Sequence, residues 1–242
     1  MKESLRELRN GVCGIGYLTV PMEEYSKDPT RPFFKVVGTG FLVRTTTILT
    51  NRHVIELMLS TQRDTGFSDN QRLLMFVYPQ GEFGMGVGFA KMKKFGYITD
   101  PSLDVGICEV GPLPEEALGQ IKPLDLRKDE RLTIGDPIAV CGYPYGHSML
   151  HKNSKVYRWG PVVQQGFISA LSPFDTAKEP EEILLDVRAA GGMSGAPVFR
   201  LDDGKIIGIL HSTWEATTAL ALTIRQEAVD AWLKQHDAPI ST

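Results

Sequence analysis

Ala190-Gly191-Gly192-Met193-Ser194-Gly195-Ala196-Pro197-Val198-Phe199 sets a serine among glycines on a tight turn, then runs through proline into an apolar, strand-like segment. Glycine takes backbone conformations closed to other residues and lets a second group come close. A serine held this way can meet a carbonyl, and the amides of Gly192 and Ser194 can then point at one oxygen. The same residues also suit a plain turn between strands whose serine faces solvent. The choice depends on whether the chain supplies a base and a group to orient it.

Outward from that stretch the pattern is β. Pro137–Gly142, Val162–Leu171, Ile183–Val187, Pro197–Arg200, Ile206–His211 and Thr218–Thr223 read as strands. Arg225–Gln235 is an amphipathic helix with Val229, Trp232 and Leu233 on one face. A long loop over 143–161 opens with Tyr143-Pro144-Tyr145-Gly146. Further upstream, three prolines and a charge cluster in residues 111–130 break the pattern and mark a connector. Before it lies another β-rich block, with strands expected at Val12–Val20, Phe34–Val43, Thr46–Thr50, Leu73–Tyr78 and Phe89–Phe95, and one within Ser102–Val110. Residues 2–9 read as a short helix, 21–33 and 60–71 as polar loops, and the glycine-rich 81–88 as a turn or bulged hairpin. Two blocks, 1–120 and 121–242, predict paired barrels with a cleft between them.

Composition narrows the function. The chain has 242 residues and a net charge of −3, with no basic block, which argues against a nucleic-acid or anionic-membrane partner. Cys13, Cys108 and Cys141 are odd in number and lie in apolar surroundings, so they read as small buried hydrophobes rather than a disulfide framework. The first residues, MKESLRELRN, carry charge where a signal peptide needs an apolar core. No apolar run approaches the roughly 18 residues of a membrane span. A soluble, cytoplasmic protein is expected. No zinc-spaced Cys/His cluster or cofactor-binding glycine loop stands out, so neither metal nor cofactor is expected.

Two residues in the first block suit the missing roles. His53 follows an apolar strand at the start of a helical turn, and Asp104 stands at the mouth of the strand-like run ending at Val110. Taken singly, His53 reads as a surface or capping histidine and Asp104 as an Asx-turn cap. Taken with Ser194 they supply imidazole, carboxylate and hydroxyl in the order His, Asp, Ser, separated by 51 and 90 residues. A serine hydroxyl needs such a base, and a buried carboxylate fixes the base's tautomer.

The order is reinforced by short segments along the chain: Gly38-Thr39-Gly40-Phe41-Leu42-Val43, Ile48-Leu49-Thr50-Asn51-Arg52-His53-Val54 and Leu103-Asp104-Val105-Gly106-Ile107. Gly142-Tyr143-Pro144, Gly166-Phe167-Ile168-Ser169-Ala170 and Gly192-Met193-Ser194-Gly195-Ala196-Pro197 follow. Together they resemble the trypsin-like (chymotrypsin-fold) serine proteases, most of all bacterial trypsin-like peptidases and the protease domain of the Deg type. The resemblance runs from about residue 34 to the terminal helix. It implies an all-β fold of two six-stranded antiparallel β-barrels with a C-terminal α-helix. It also implies a serine endopeptidase in which His53 is base then acid, Asp104 its orienter and Ser194 the nucleophile. Gly192 and Ser194 would form the oxyanion hole, with a protein or peptide as substrate and no cofactor.

The departures carry weight. Met193 stands where zymogen-activated members carry an aspartate and many bacterial relatives an asparagine, and Ala196 replaces the usual second glycine. Arg188, six residues before Ser194, matches the position that often floors the primary substrate pocket. Facing inward it would favour an acidic residue before the cut bond; otherwise it meets solvent or Asp186. His211 could touch the pocket or lie near Asp104, and a purely structural role suits it equally. Two alternatives stand beside the endopeptidase: a catalytically silent barrel pair that binds a partner in the cleft, and an esterase. The second lacks the Gly-Xaa-Ser-Xaa-Gly elbow. A cytoplasmic protease needs restraint, so either a regulatory protein partner or narrow substrate choice is expected.

Overall fold

Side chains along β1 (Val12–Leu18) alternate between two buried faces, and that alternation organises the first half of the molecule. Cys13, Ile15 and Tyr17 enter one core, while Val12 and Leu18 enter two others. A strand buried on both sides needs apolar residues at every position that carries a side chain, which is what this segment supplies. The computed structural model describes residues 7–28, 33–80, 84–98, 100, 102–113, 115–128, 131–146, 149–152, 155–158, 160–214 and 218–237. Of 149–152, 155–158, 214, 236 and 237 it describes the backbone alone.

β1 is followed by a short helix α1 (Met22–Lys27), β2 (Phe34–Arg44), β3 (Thr47–Thr50) and helix α2 (Arg52–Thr65). Then come β4 (Arg72–Gln80), β5 (Gly84–Tyr97) and β6 (Gly106–Val110). These six strands pair in the order β1-β2-β3-β6-β5-β4, and β4 pairs back on β1 to close an antiparallel barrel. The second half holds β7 (Pro137–Gly142), a hairpin of β8 (Met149–Lys152) and β9 (Lys155–Arg158), and β10 (Val162–Ser172). It continues with β11 (Glu182–Leu185), β12 (Pro197–Arg200), β13 (Ile206–Trp214), β14 (Thr218–Thr223) and helix α3 (Gln226–Asp237). Strands β10-β11-β14-β13-β12-β7 form a second closed barrel. The fold is the expected all-β one of two six-stranded antiparallel barrels with a terminal helix.

Each barrel has its own apolar interior, and a third core lies between them. Val12, Phe41, Leu49 and Ile107 from the first barrel meet Phe199, Ile206 and Ile209 from the second, with Val229 and Leu233 of α3 on top. Burial at about 25 cal/mol per Å² makes such a seam a stabilising element in its own right. The segment 124–127 stitches it: the Leu124 amide donates to Leu42 of β2, while Ile206 and the Arg127 amide close a ladder beside β13. An ion pair at 3.0 Å joins Arg44 of β2 to Asp230 of α3.

Three sequence expectations are corrected. Residues 60–71 are not a loop throughout, because α2 runs to Thr65 and ends on Gly66 at φ 71°, whose amide caps the Gln62 carbonyl. Only Val54, Ile55 and Met58 of α2 are buried, a stripe too narrow to signal a helix of 14 residues. The expected loop 21–33 contains α1, and the expected loop 143–161 contains the β8–β9 hairpin. Of the helix expected at 2–9, residues 7–9 are helical and 2–6 lie outside the described residues.

Candidate active site

The base and its orienter come from the first barrel. Helix α2 begins one residue before His53, so the His53 amide is among the first N–H groups of the helix and has no partner within it. Its N-cap residue, Asn51, makes no side-chain cap. Asp104, just before β6, takes that place: one carboxylate oxygen accepts the His53 amide at 3.0 Å. The other lies 2.6 Å from His53 Nδ1. Buried Asn51 spends its Nδ2 on the Asp104 carbonyl at 2.9 Å and so fixes the loop that presents the carboxylate. A carboxylate at a helix N-terminus is also favoured by the partial positive charge there.

Burial by itself pushes the Asp104 carboxyl up, but the hydrogen bonds from the His53 ring and amide, with the charges of His53 and His211, outweigh it. The net shift is downward, so the group is an acceptor only. Nδ1 of His53 therefore carries a proton, and in the neutral imidazole the lone pair lies on Nε2.

The serine turn belongs to the second barrel. Its shape is set by two glycines at positive φ, Gly192 at 92° and Gly195 at 86°. A side chain at Gly192 would strike the Tyr143 carbonyl, and one at Gly195 would strike the Thr39 carbonyl. Between them, Met193 is fully buried in the second barrel's core, its sulfur 3.8 Å from Gln164 Nε2. An apolar plug thus anchors this turn.

Because a trans peptide sets its oxygen and hydrogen on opposite sides, a held carbonyl aims the amide of the same peptide. The Gly191 carbonyl accepts the Tyr145 amide, and the Met193 carbonyl accepts the Ala196 amide at 2.9 Å. Those two peptides carry the amides of Gly192 and Ser194. Among the described residues neither amide donates to any acceptor. Two unspent donors two residues apart are the raw material of an oxyanion site.

His53 and Asp104 are thus joined directly, whereas Ser194 meets the first barrel through its backbone, its carbonyl accepting the Thr39 amide at 2.8 Å. Among the described residues the Ser194 hydroxyl makes no hydrogen bond; in unliganded sites such bonds often tighten only once substrate arrives. Arg188 is exposed, and Asp186 is not its partner, since that carboxylate accepts the Phe167 amide at 2.6 Å. His211 sits at a bulge in β13 with Nε2 3.0 Å from Glu182 Oε1, close enough for an ion pair though not aligned as a hydrogen bond.

The three cysteines are buried and free. Burial pushes the Cys108 and Cys141 thiols up to about 12, so neither competes as a nucleophile near neutral pH. Among the described residues no group of three or more His, Cys, Asp or Glu is placed to hold a metal ion. Sequence inspection missed Asn51 and Tyr145 as parts of the site. Asn51 sits within a conspicuous segment and Tyr145 directly after one, but both act through contacts that only folding creates.

Residues 38–209 match the model of the trypsin-like peptidase domain, and the chain belongs to that family. It is therefore a peptidase, a hydrolase. No curated protein matches the sequence. Among solved structures it resembles the active form of the Rv3671c protease from M. tuberculosis, with 20% identity, 96% of this chain and 82% of that one covered, and a TM-score of 0.56. It is similar to an inactive serine-to-alanine mutant of the same protein at 18% identity, covering 99% and 92%, TM-score 0.56. The Deg5 structure is matched at 18% identity over 95% and 90%, again with a TM-score of 0.56. At these identities the likeness concerns the fold. Among the described residues no helix is long and apolar enough to cross a membrane.

Proposed function

We propose that the chain is a serine endopeptidase that cuts peptide bonds through an acyl-enzyme, with His53, Asp104 and Ser194 as its catalytic residues. The observation that carries this is the two-point grip of Asp104 on His53, at the side chain and at the amide, in a fold that also holds a serine turn with two unspent N–H groups against the first barrel.

The chemistry follows from that arrangement. Nε2 of His53 takes the Ser194 proton as Oγ bonds to the substrate carbonyl carbon, and the electron pair of the C=O moves onto oxygen. The Gly192 and Ser194 amides stabilise that oxyanion. On collapse the C–N bond breaks and the amine leaves with the proton from His53, giving a Ser194 ester. Water, deprotonated by His53, attacks the ester; its collapse returns the proton to Ser194 and frees the acid. The Asp104 carboxylate offsets the positive charge on the imidazolium in both halves. The substrate is a protein or peptide of the cytoplasm, where a protein partner or narrow substrate choice would supply restraint. Reading the molecule as a silent scaffold draws support from no feature of the site.

A fluorophosphonate tests the proposal. Ser194 Oγ is expected to displace fluoride and gain one phosphonyl group, seen by mass spectrometry on the Ser194 peptide. Ser194→Ala is expected to remain unmodified. A folded wild-type protein that stays unlabelled sinks the serine mechanism.

Arg188 carries a separate expectation. An exposed guanidinium is screened by water and salt and contributes little selectivity. In a peptide library, Arg188→Ala is expected to change the ratio of cleavage after Glu to cleavage after Leu by less than about threefold. A collapse of that ratio would assign Arg188 to the primary pocket instead.

A further inference from the structure

Thr39 is fully buried on β2, yet each of its polar groups has a partner, and two of those partners lie in the serine turn of the other barrel. Its amide donates to the Ser194 carbonyl at 2.8 Å. Its hydroxyl donates to the Gly192 carbonyl at 2.8 Å and accepts the Tyr143 amide at 3.1 Å. Its carbonyl accepts the hydroxyl of Thr50, also buried, at 2.7 Å. One residue of the first barrel therefore holds the peptides 192–193 and 194–195. The peptides carrying the Gly192 and Ser194 amides alternate with these two.

We infer that Thr39 is a positioning residue for the oxyanion site, fixing the serine turn from behind across the seam between the barrels. This rests on the serine-peptidase reading. The backbone bond from Thr39 would survive substitution, but the hydroxyl bond to Gly192 would not. Valine has the same shape and puts a methyl group where the hydroxyl was, leaving the Gly192 carbonyl and the Tyr143 amide buried without their partner. The 192–193 peptide is then free to rotate. Its rotation carries the neighbouring Gly192 and Ser194 amides off the oxygen they serve. Losing one oxyanion donor outright costs about 10² to 10³ in kcat, so loosening both is expected to cost about ten- to a hundredfold.

The binding of substrate in its ground state does not use those amides fully, so KM should move less than about twofold. Serine restores the hydroxyl, and Thr39→Ser is expected to return kcat to within about threefold of wild type.

The experiment measures kcat, KM and melting temperature for wild type, Thr39→Val, Thr39→Ser and Ser194→Ala on one peptide substrate. The low-field proton resonance of His53 Nδ1 serves as a check on the first barrel. The inference predicts a kcat loss confined to Thr39→Val, recovery in Thr39→Ser and an unchanged Nδ1 resonance. It is overturned if Thr39→Val keeps wild-type kcat, or if kcat returns to wild type on cooling below a lowered melting transition. Loss of the Nδ1 resonance would also overturn it, since the damage would then lie at His53. Should the valine variant not fold, Thr39→Ala carries the same comparison. Equal turnover by wild type and Ser194→Ala would instead defeat the underlying mechanism.

Discussion

Ser194→Ala is expected to lower kcat by about 10⁶-fold, His53→Ala by about as much, and the double variant no further. In the proposed mechanism the two side chains perform one proton transfer: the hydroxyl is a weak nucleophile without a base, and the base has nothing to deprotonate without the hydroxyl. Removing either removes the step. What remains should be a rate about 10³ to 10⁴ above that of uncatalysed hydrolysis, supplied by the Gly192 and Ser194 amides and by substrate positioning. Steady-state kinetics on the three variants decide the matter. Losses that multiply in the double variant would mean that the residues act independently.

Asp104→Asn is expected to lower kcat by about 10⁴-fold while leaving the fold in place. An amide in that position can donate to Nδ1 of His53, which drives the ring proton to Nε2 and removes the lone pair that must accept from Ser194. The same variant bears on stability. The folded Asp104 carboxyl titrates below its ordinary value, so its contribution is present above the unfolded carboxylate value of about 3.9. That contribution drains away as pH falls through the depressed folded value. Melting temperatures of wild type and Asp104→Asn should therefore differ most above about pH 4 and converge in stronger acid. A gap that widens on acidification would contradict the assigned direction of the shift.

Much of this was legible in the sequence, because chemistry restricts residue types more than folding does. A serine flanked by glycines, a histidine after an apolar strand and an aspartate before another are each ambiguous, but their order is not. Strands of the barrels showed through their alternation. α2 beyond residue 60 did not, since most of its surface is polar and faces water. The role of His211 was open because β13 carries a bulge between Leu210 and Ser212, and a one-residue irregularity reverses which face a side chain meets. Thr39 lies within a recognisable segment, yet its partner Gly192 is 153 residues away. No local pattern announces a hydroxyl whose use depends on how two barrels meet.

The burial of Met193 has a bearing on timing. A thioether packed in oil asks for no counter-ion, and hence for no freshly cut amino group to supply one. The turn around Ser194 takes its form when the second barrel packs onto Thr39 of the first, so under the proposed mechanism competence would come with folding itself. On that reading, control would fall to whatever governs access to Ser194, at every moment after synthesis.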